Sequence, residues 1–310
     1  IRTPNDPDTI YDDDPLRILR CIRFASRYGW EIEYDTYEGM VRNVSRLEII
    51  TKERVKDEFC KMLTCKHPIM AMELLRKIGA MHYVIPELEE TYSMTQNEYH
   101  FGTVWEHTMM VLEGTKDDNM ILRISALLHD IGKIRVCTEE DGKIHFLKHE
   151  LKSGEMIDEL LRPLKFSNEI IKEVTFLVRN HMICKTWGSE CEYMKDKKLR
   201  RFQYECKTEE RFRNLMTIID ADNNAYAADK CMPKQVEFIL SRTEAMKAEG
   251  SAMFGYKLPL TGKEIMDLKG IKPGSAVKEC LDYLMKIAFV NPLRKKEEFV
   301  KHLLGYRLQK

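Results

Sequence analysis

Six side chains of this sequence are of the types that hold a divalent cation, and each lies where the surrounding pattern calls for an apolar residue: His107, His129, Asp130, His149, His181 and Asp220. Five of the nine histidines fall between His107 and His181, so the enrichment is regional. His107 sits inside the helical stretch Trp105-Glu106-His107-Thr108. His129-Asp130 ends the apolar run Ala126-Leu127-Leu128 and precedes Ile131-Gly132-Lys133, where Gly132 can stop the helix. A carboxylate at the end of a buried helix needs a cation or hydrogen-bond partners to offset its desolvation. His149 opens one helical segment, His181 ends another, and Asp220 lies among Leu215, Ile218 and Ile219. Imidazole and carboxylate without thiolate suit Mn, Fe, Co, Ni or Mg better than a structural zinc. Such ions lower the pKa of bound water and clamp phosphoryl oxygens, so the chemistry implied is phosphoester hydrolysis. A single helix-borne histidine is more often a hydrogen-bonded core residue, and that reading suits His145, which alternates with Ile144 and Phe146. Six ligand-type residues together are hard to explain one by one.

The elements that must position them read as helices almost throughout, so the expected class is all-α. Apolar spacing predicts short helices over 15–27, 36–44, 52–63 and 68–78, the second opened by a capping pair of Asp35 with Glu38, the fourth by Pro68 and closed near Gly79. Residues before Pro15 read as a polar loop. A polar stretch over 87–102 separates this bundle from helices centred on 105–112 and 121–128. One hairpin is expected within 134–146, turning at Asp141-Gly142. After Tyr226 the pattern weakens, then closes with a loop-helix-loop over 258–273 and a helix from Ser275. The expected organisation is 1–95 as a helical neck and body, 96–230 as the domain carrying the cluster, and 231–310 as a helical tail.

The order His107, His129-Asp130-Ile131-Gly132-Lys133, His149, His181 and Asp220 resembles the HD phosphohydrolase superfamily. That resemblance implies a metal held by His107, His129, Asp130 and Asp220. It implies a second metal bridged by Asp130 and joined by His149 and His181, with Lys133 contacting a substrate phosphate.

A second motif lies near the start. Asp13-Asp14-Pro15-Leu16-Arg17-Ile18-Leu19-Arg20, followed by Arg23 and Arg27, sets acids before a basic helix whose Leu16, Ile18, Leu19, Ile22 and Phe24 pack elsewhere. As bare physics this is a solvated helix with acids at its positive end. A fixed carboxylate and guanidinium could also read the edge of a base. The stretch is similar to the Glu-Asp-x-x-Arg nucleotide-selecting motif of bacterial-type, class II tRNA nucleotidyltransferases (CCA-adding enzymes) and related poly(A) polymerases, with Asp13 standing where the family usually has Glu. The resemblance implies that Asp13, Asp14, Arg17 and Arg20 contact ATP or CTP and that the chain holds the tRNA 3′ end. It continues through Gly29-Trp30-Glu31-Ile32, Ile49 to Val55, Leu75 to Ala80, and Leu258 to Gly274. The family's Mg-binding Asp-x-Asp, carried on a sheet-based head, has no counterpart here, because Asp6-Pro-Asp8 reads as loop and Asp220-Ala-Asp222 as helix. The expectation is therefore a chain that selects nucleotides and holds RNA but does not polymerise by itself, a piece of something longer that begins at Ile1. The alternative is a freestanding HD-type phosphohydrolase acting on nucleotides or cyclic phosphates.

Bulk properties narrow the field. Fifty basic and fifty acidic side chains cancel, so RNA binding must come from local patches. Candidates are Arg17 to Arg27, Lys195 to Arg201, and the helix start after Pro273-Gly274. Nine scattered cysteines without a Cys-x-x-Cys pair read as buried reduced thiols. No apolar run reaches the roughly 18 residues that cross a bilayer and no signal peptide opens the chain, which implies a cytoplasmic location and no membrane partner.

Overall fold

The computed structural model describes residues 1–97, 102–115, 118–226 and 230–308. They form helices joined by short turns, with one two-stranded sheet. Among the described residues no helix is long and apolar enough to cross a membrane.

The expected opening loop is instead a helix, α1 (Pro7–Asp13), with Pro7 at its first position and the Asp6 carboxylate capping it by accepting from Thr9 N at 3.0 Å. Then come α2 (Leu16–Tyr28), α3 (Tyr34–Asn43), α4 (Lys52–Leu63) and α5 (Pro68–Lys77). α3 starts two residues earlier than its spacing suggests. Its cap is Glu33, which accepts from Thr36 N, and Asp35 falls inside the first turn rather than pairing with Glu38. α6 (Val104–Gly114) opens with a Thr103–Glu106 capping box, and α7 (Met120–Leu128) with the Asn119 side chain accepting from Ile121 N and Leu122 N. A single turn, α8 (Lys133–Val136), leads into the hairpin β1 (Thr138–Glu140) and β2 (Lys143–His145). Asp141 and Gly142 carry φ of 50° and 72°, the left-handed pair that a tight hairpin turn requires. Val136 and Cys137 precede the ribbon rather than forming it. α9 (His149–Leu161), α10 (Asn168–Asn180), α11 (Asp196–Cys206), α12 (Glu209–Asn224), α13 (Gln235–Ala248), α14 (Gly262–Lys269), α15 (Ser275–Val290) and α16 (Lys296–Gly305) complete the order. α13 fills a segment whose weak amphipathic pattern hides it from a periodicity reading.

The three-way division at 95 and 230 is not how the chain compacts. It forms two units, residues 1–184 with 214–232, and residues 185–213 with 233–310. The reason is a shared core. In the first unit Ile18, Leu19, Ile22, Phe59 and Met62 belong to the same buried cluster as Trp105, Ile124, Leu128 and Ile157, so the helices expected to form a separate neck and body bury their apolar faces with those of the metal-type cluster. Each such side chain contributes roughly 1.5–3 kcal/mol on burial, which makes one continuous core more favourable than two small ones. The second unit has its own core of Met253, Leu260, Ile265, Leu284, Phe299 and Leu303. All nine cysteines are free; Cys21, Cys184, Cys191, Cys206 and Cys280 are buried as expected, whereas Cys137 is exposed.

Candidate metal centre

The cluster is assembled by helix ends. α7 is buried along most of its length, with Leu122, Ile124, Ala126, Leu127 and Leu128 all inside. It therefore delivers His129 and Asp130, both buried, into the interior of the first unit. The last carbonyls of a helix have no intrahelical partner. One of them, Ala126 O, is 2.8 Å from His129 Nδ1. The same i to i−3 pairing recurs where α10 ends, His181 Nδ1 to Val178 O at 2.7 Å, and just before α9 begins, His149 Nδ1 to Phe146 O at 2.9 Å. His107, in the middle of α6, places Nδ1 3.3 Å from Ala225 O. A carbonyl can only accept, so all four imidazoles donate through Nδ1, and their Nε2 atoms face the other way.

What those Nε2 atoms face is a pair of carboxylates. Asp130 Oδ2 lies 3.2 Å from His129 Nε2 and 3.6 Å from His107 Nε2; its other oxygen, Oδ1, lies 3.1 Å from His149 Nε2 and 3.7 Å from His181 Nε2. Asp130 thus divides the imidazoles into two pairs, one per oxygen. Asp222 Oδ1 joins the first pair, 3.1 Å from His107 Nε2 and 3.9 Å from His129 Nε2. Donor atoms of His107, His129 and Asp130, and again of Asp130, His149 and His181, fall within 4.8 Å of one another, the spacing of a cation's ligand shell.

Asp222, not Asp220, completes the arrangement. Leu215, Ile218 and Ile219 define a stripe whose next position, three and four residues on, is 222; Asp220 is turned about 200° from 222 around the helix. Asp222 is buried and Asp220 only half-buried, its carbonyl receiving the Asn224 side chain. Position 222 continues the buried stripe, and that was the available signal in the sequence. Tyr226, its ring 5.7 Å from that of His107, also borders the cluster, and burial raises its hydroxyl well above the ordinary phenol range. Lys133 is not presented to solvent. Its ammonium is buried, 2.7 Å from Asp130 Oδ2 and 2.7 Å from Gln96 Oε1, over the Phe146 ring. Gly132 does not stop α7 through a left-handed φ; its φ is −64°, and what it supplies is closeness, since a Cβ there would lie 2.4 Å from Ser153 N and 2.5 Å from His149 O on α9.

The donor set fits a divalent ion on its own chemistry. Four imidazole Nε2 atoms and two buried carboxylates converge there, and His129 Nε2 has no hydrogen-bond partner although it is fully buried. Burial raises the Asp130 carboxyl, but His129, Lys133 and His149 outweigh it and hold it well below the usual carboxylate range. Burial pushes His181 down to about 3, reinforced by the neighbouring His129 and His149, so its Nε2 keeps a lone pair at neutral pH.

The N-terminal motif lies at the turn from α1 to α2. Asp13 is the exposed last residue of α1. Asp14 accepts from Leu16 N at 3.3 Å and from Arg54 Nη2 at 3.3 Å. Arg17 is exposed and reaches Ile10 O at 3.4 Å, while Arg20 lies 3.7 Å from Glu58 Oε1. Arg54 on α4 is the functional-type residue here that local spacing does not reveal, because its partner is forty positions away. Of the expected basic tracts, Lys195 to Arg201 is partly committed: Arg200 is buried and donates to Val290 O at 2.9 Å, and Arg201 bonds Glu205, leaving Lys195, Lys197 and Lys198 exposed.

Comparison with known proteins finds two families along the chain. Residues 97–223 match the HD domain family, a span that runs from before His107 to just past Asp222, and residues 29–91 match the family described as a probable RNA and SrmB-binding site of polymerase A. The chain is 28% identical over 281 residues to the A-adding tRNA nucleotidyltransferase of Deinococcus radiodurans, and 27% identical over 315 residues to the CC-adding tRNA nucleotidyltransferase of Thermus thermophilus. Those alignments cover 86% and 97% of this chain. Along nearly its whole length the chain is similar to tRNA nucleotidyltransferases, and its central part matches the HD domain family. The fold agrees: the crystal structure of the Bacillus stearothermophilus CCA-adding enzyme in complex with CTP superposes with a TM-score of 0.63 at 20% identity, over 98% of this chain and 64% of that one. The chain spans 62% of the Deinococcus radiodurans family member and 68% of the Thermus thermophilus one.

Proposed function

We propose that this chain is the nucleotide-selecting, RNA-holding and HD-bearing part of a tRNA nucleotidyltransferase, acting at the tRNA 3′ end with ATP or CTP, and that its HD cluster hydrolyses phosphoesters with divalent metal. The observation that carries the second half is the convergence of four imidazole Nε2 atoms on Asp130 and Asp222. His107, His129, Asp130 and Asp222 would hold one ion, and Asp130, His149 and His181 a second; Mn, Fe, Co, Ni and Mg all suit these donors. When bound, such an ion supplies Lewis-acid polarisation of a phosphoester oxygen. The chain's own part is to fix the imidazole tautomers through backbone carbonyls and to keep Asp130 ionised through His129, Lys133 and His149. Lys133 acts through Asp130, with any contact to a substrate phosphate requiring its ammonium to leave that carboxylate.

For nucleotide selection, Asp14 offers an acceptor, and Arg17 offers donors at the same turn, with Arg54 holding Asp14 in place and Asp13 and Arg20 on either side. Among the described residues the only sheet is the two-stranded ribbon, which bears no Asp-x-Asp, so transfer of the nucleotide is not assigned to these residues. The test is a phosphodiesterase assay of the metal-loaded chain with 2′,3′-cyclic and linear substrates. Activity that disappears in Asp130→Ala supports the HD assignment, and activity that survives removes it. Incorporation of CTP or ATP into tRNA lacking its CCA end, by this chain alone, would contradict the division of labour.

A further inference from the structure

The outward face of α2 carries large aromatic rings that the core pattern does not explain. Phe24, Tyr28 and Trp30 are 38%, 48% and 53% exposed, so Phe24 does not pack inward with Leu19 and Ile22 as its neighbours suggest. The rings form a ladder. Phe24 and Tyr28, four residues apart and therefore one turn above each other, have centroids 6.4 Å apart and planes within 5°; Tyr28 and Trp30 are 4.4 Å apart at 24°. Trp30 lies beyond the helix and is brought back by the cap. Gly29 adopts φ 69°, and the N–H groups of Gly29 and Trp30 both bond Ala25 O, reversing the chain so that the indole lies against Tyr28.

Cations surround this ladder. The Arg23 guanidinium lies 4.2 Å from the Phe24 centroid and Arg27 5.6 Å from that of Tyr28. Arg23 is fixed by Glu58, a buried carboxylate 2.6 Å from its Nε, which also draws Arg20 to 3.7 Å and Lys61 to 3.6 Å. One negative charge gathers three positive ones, so the surface keeps a net positive field although the whole chain is neutral. Beside the ladder is a pocket of about 490 Å³ lined by Arg23, Arg27, Tyr28, Lys61, Thr64 and Lys66, with four cations and no carboxylate among its lining residues.

We propose that this face binds single-stranded RNA, with an unpaired base stacked on the Tyr28–Trp30 end of the ladder and its neighbouring phosphates in the Arg23, Arg27, Lys61 and Lys66 pocket. Flat rings offered in succession beside a cationic groove are what unpaired nucleotides require, since every base has a face to stack and every linkage a charge to neutralise. An apolar protein partner would gain nothing from the four cations. Arg27 is ten residues beyond Arg17, about 15 Å along the helix, so the platform is separate from the nucleotide-selecting turn. That the strand is a tRNA end rests on the function proposed above; the platform itself does not.

The experiment is fluorescence anisotropy of the whole chain with three labelled probes: a ten-nucleotide single-stranded RNA, an abasic strand of equal length, and tRNA lacking its CCA end. Trp30→Ala is expected to weaken single-strand binding by roughly 5- to 150-fold, with Trp30→Phe retaining most of it. The abasic strand should bind the wild type weakly and lose nothing further in Trp30→Ala. Lys66→Glu should flatten the salt dependence of the single strand by about 0.7 or more in slope. Unchanged single-strand binding in Trp30→Ala, absence of binding by the wild type, or a Trp30 effect confined to self-association in sedimentation each overturns the proposal. If tRNA binds and Trp30→Ala leaves the single strand unaffected, the platform falls and the family reading stands; if only the single strand binds, and through Trp30, the reverse holds.

Discussion

Replacing Gly132 with alanine should open the metal centre without substituting any of its ligands. The new Cβ would lie 2.4 Å from Ser153 N and 2.5 Å from His149 O, both backbone atoms of α9, so no side-chain rotation can relieve the contact. Ordinary contact begins near 3.4 Å, which requires α9 and the turn after Asp130 to separate by about 1 Å. Asp130 lies two residues before Gly132, and His149 stands on the helix that must move. The His149 Nε2 to Asp130 Oδ1 distance of 3.1 Å would therefore grow to about 4 Å. Metal-ligand distances tolerate only about 0.2 Å, so the pair formed by His149 and His181 should lose its ion while His107, His129 and Asp222 keep theirs. Overpacking of this kind costs about 1–3 kcal/mol, a fall in melting temperature of roughly 2–4 °C per kcal/mol. Metal stoichiometry by mass spectrometry, with calorimetric melting of the same sample, measures both. A variant that melts with the wild type and binds as many ions as it does would refute the packing argument and the role of α9 as carrier of the second pair.

Asp222→Ala should reduce metal affinity by more than the roughly 10- to 100-fold that loss of an outer partner costs, while Asp220→Ala should leave it within a few-fold; a competition titration with a chromophoric chelator distinguishes them. Chelator treatment of the metal-loaded chain should lower its melting temperature by an amount that grows with the logarithm of free metal, and a concentration-independent melting point would contradict folded-state binding. Trp105 Nε1 donates to Glu73 Oε1 at 2.5 Å, and although burial raises the Glu73 carboxyl, Arg76 and Trp105 bring it below its ordinary 4.5. Because the folded value is depressed, its contribution to stability is present above pH 4.5 and fades as pH falls through the lowered value, so Glu73→Gln should flatten the acid limb of a stability-pH profile.

Much of this centre is legible in the amino-acid order, for a physical reason. His129, Asp130 and His181 interrupt or end apolar helices, and a polar group at such a place needs a partner. The choice between Asp220 and Asp222 was also available, since 215, 218, 219 and 222 share one helical stripe, but the apolar neighbours of Asp220 in sequence obscure the periodicity. α1 is hidden because its acids and Pro7 resemble a turn, whereas Asp6 caps and Pro7 begins a helix. The aromatic ladder is hidden because it depends on a left-handed cap at Gly29, and the role of Gly132 because it depends on the approach of α9; neither contact is local. The division into two units likewise follows from core continuity among residues more than a hundred positions apart.

The most direct test of the account is anomalous diffraction from crystals of this chain grown with manganese. The expected result is a peak about 2 Å from Nε2 of His107 and His129 and from carboxylate oxygens of Asp130 and Asp222, with any second peak on the His149 and His181 side of Asp130. Crystals saturated with manganese that show no anomalous density among these side chains, or show it on Asp220 instead, would contradict it.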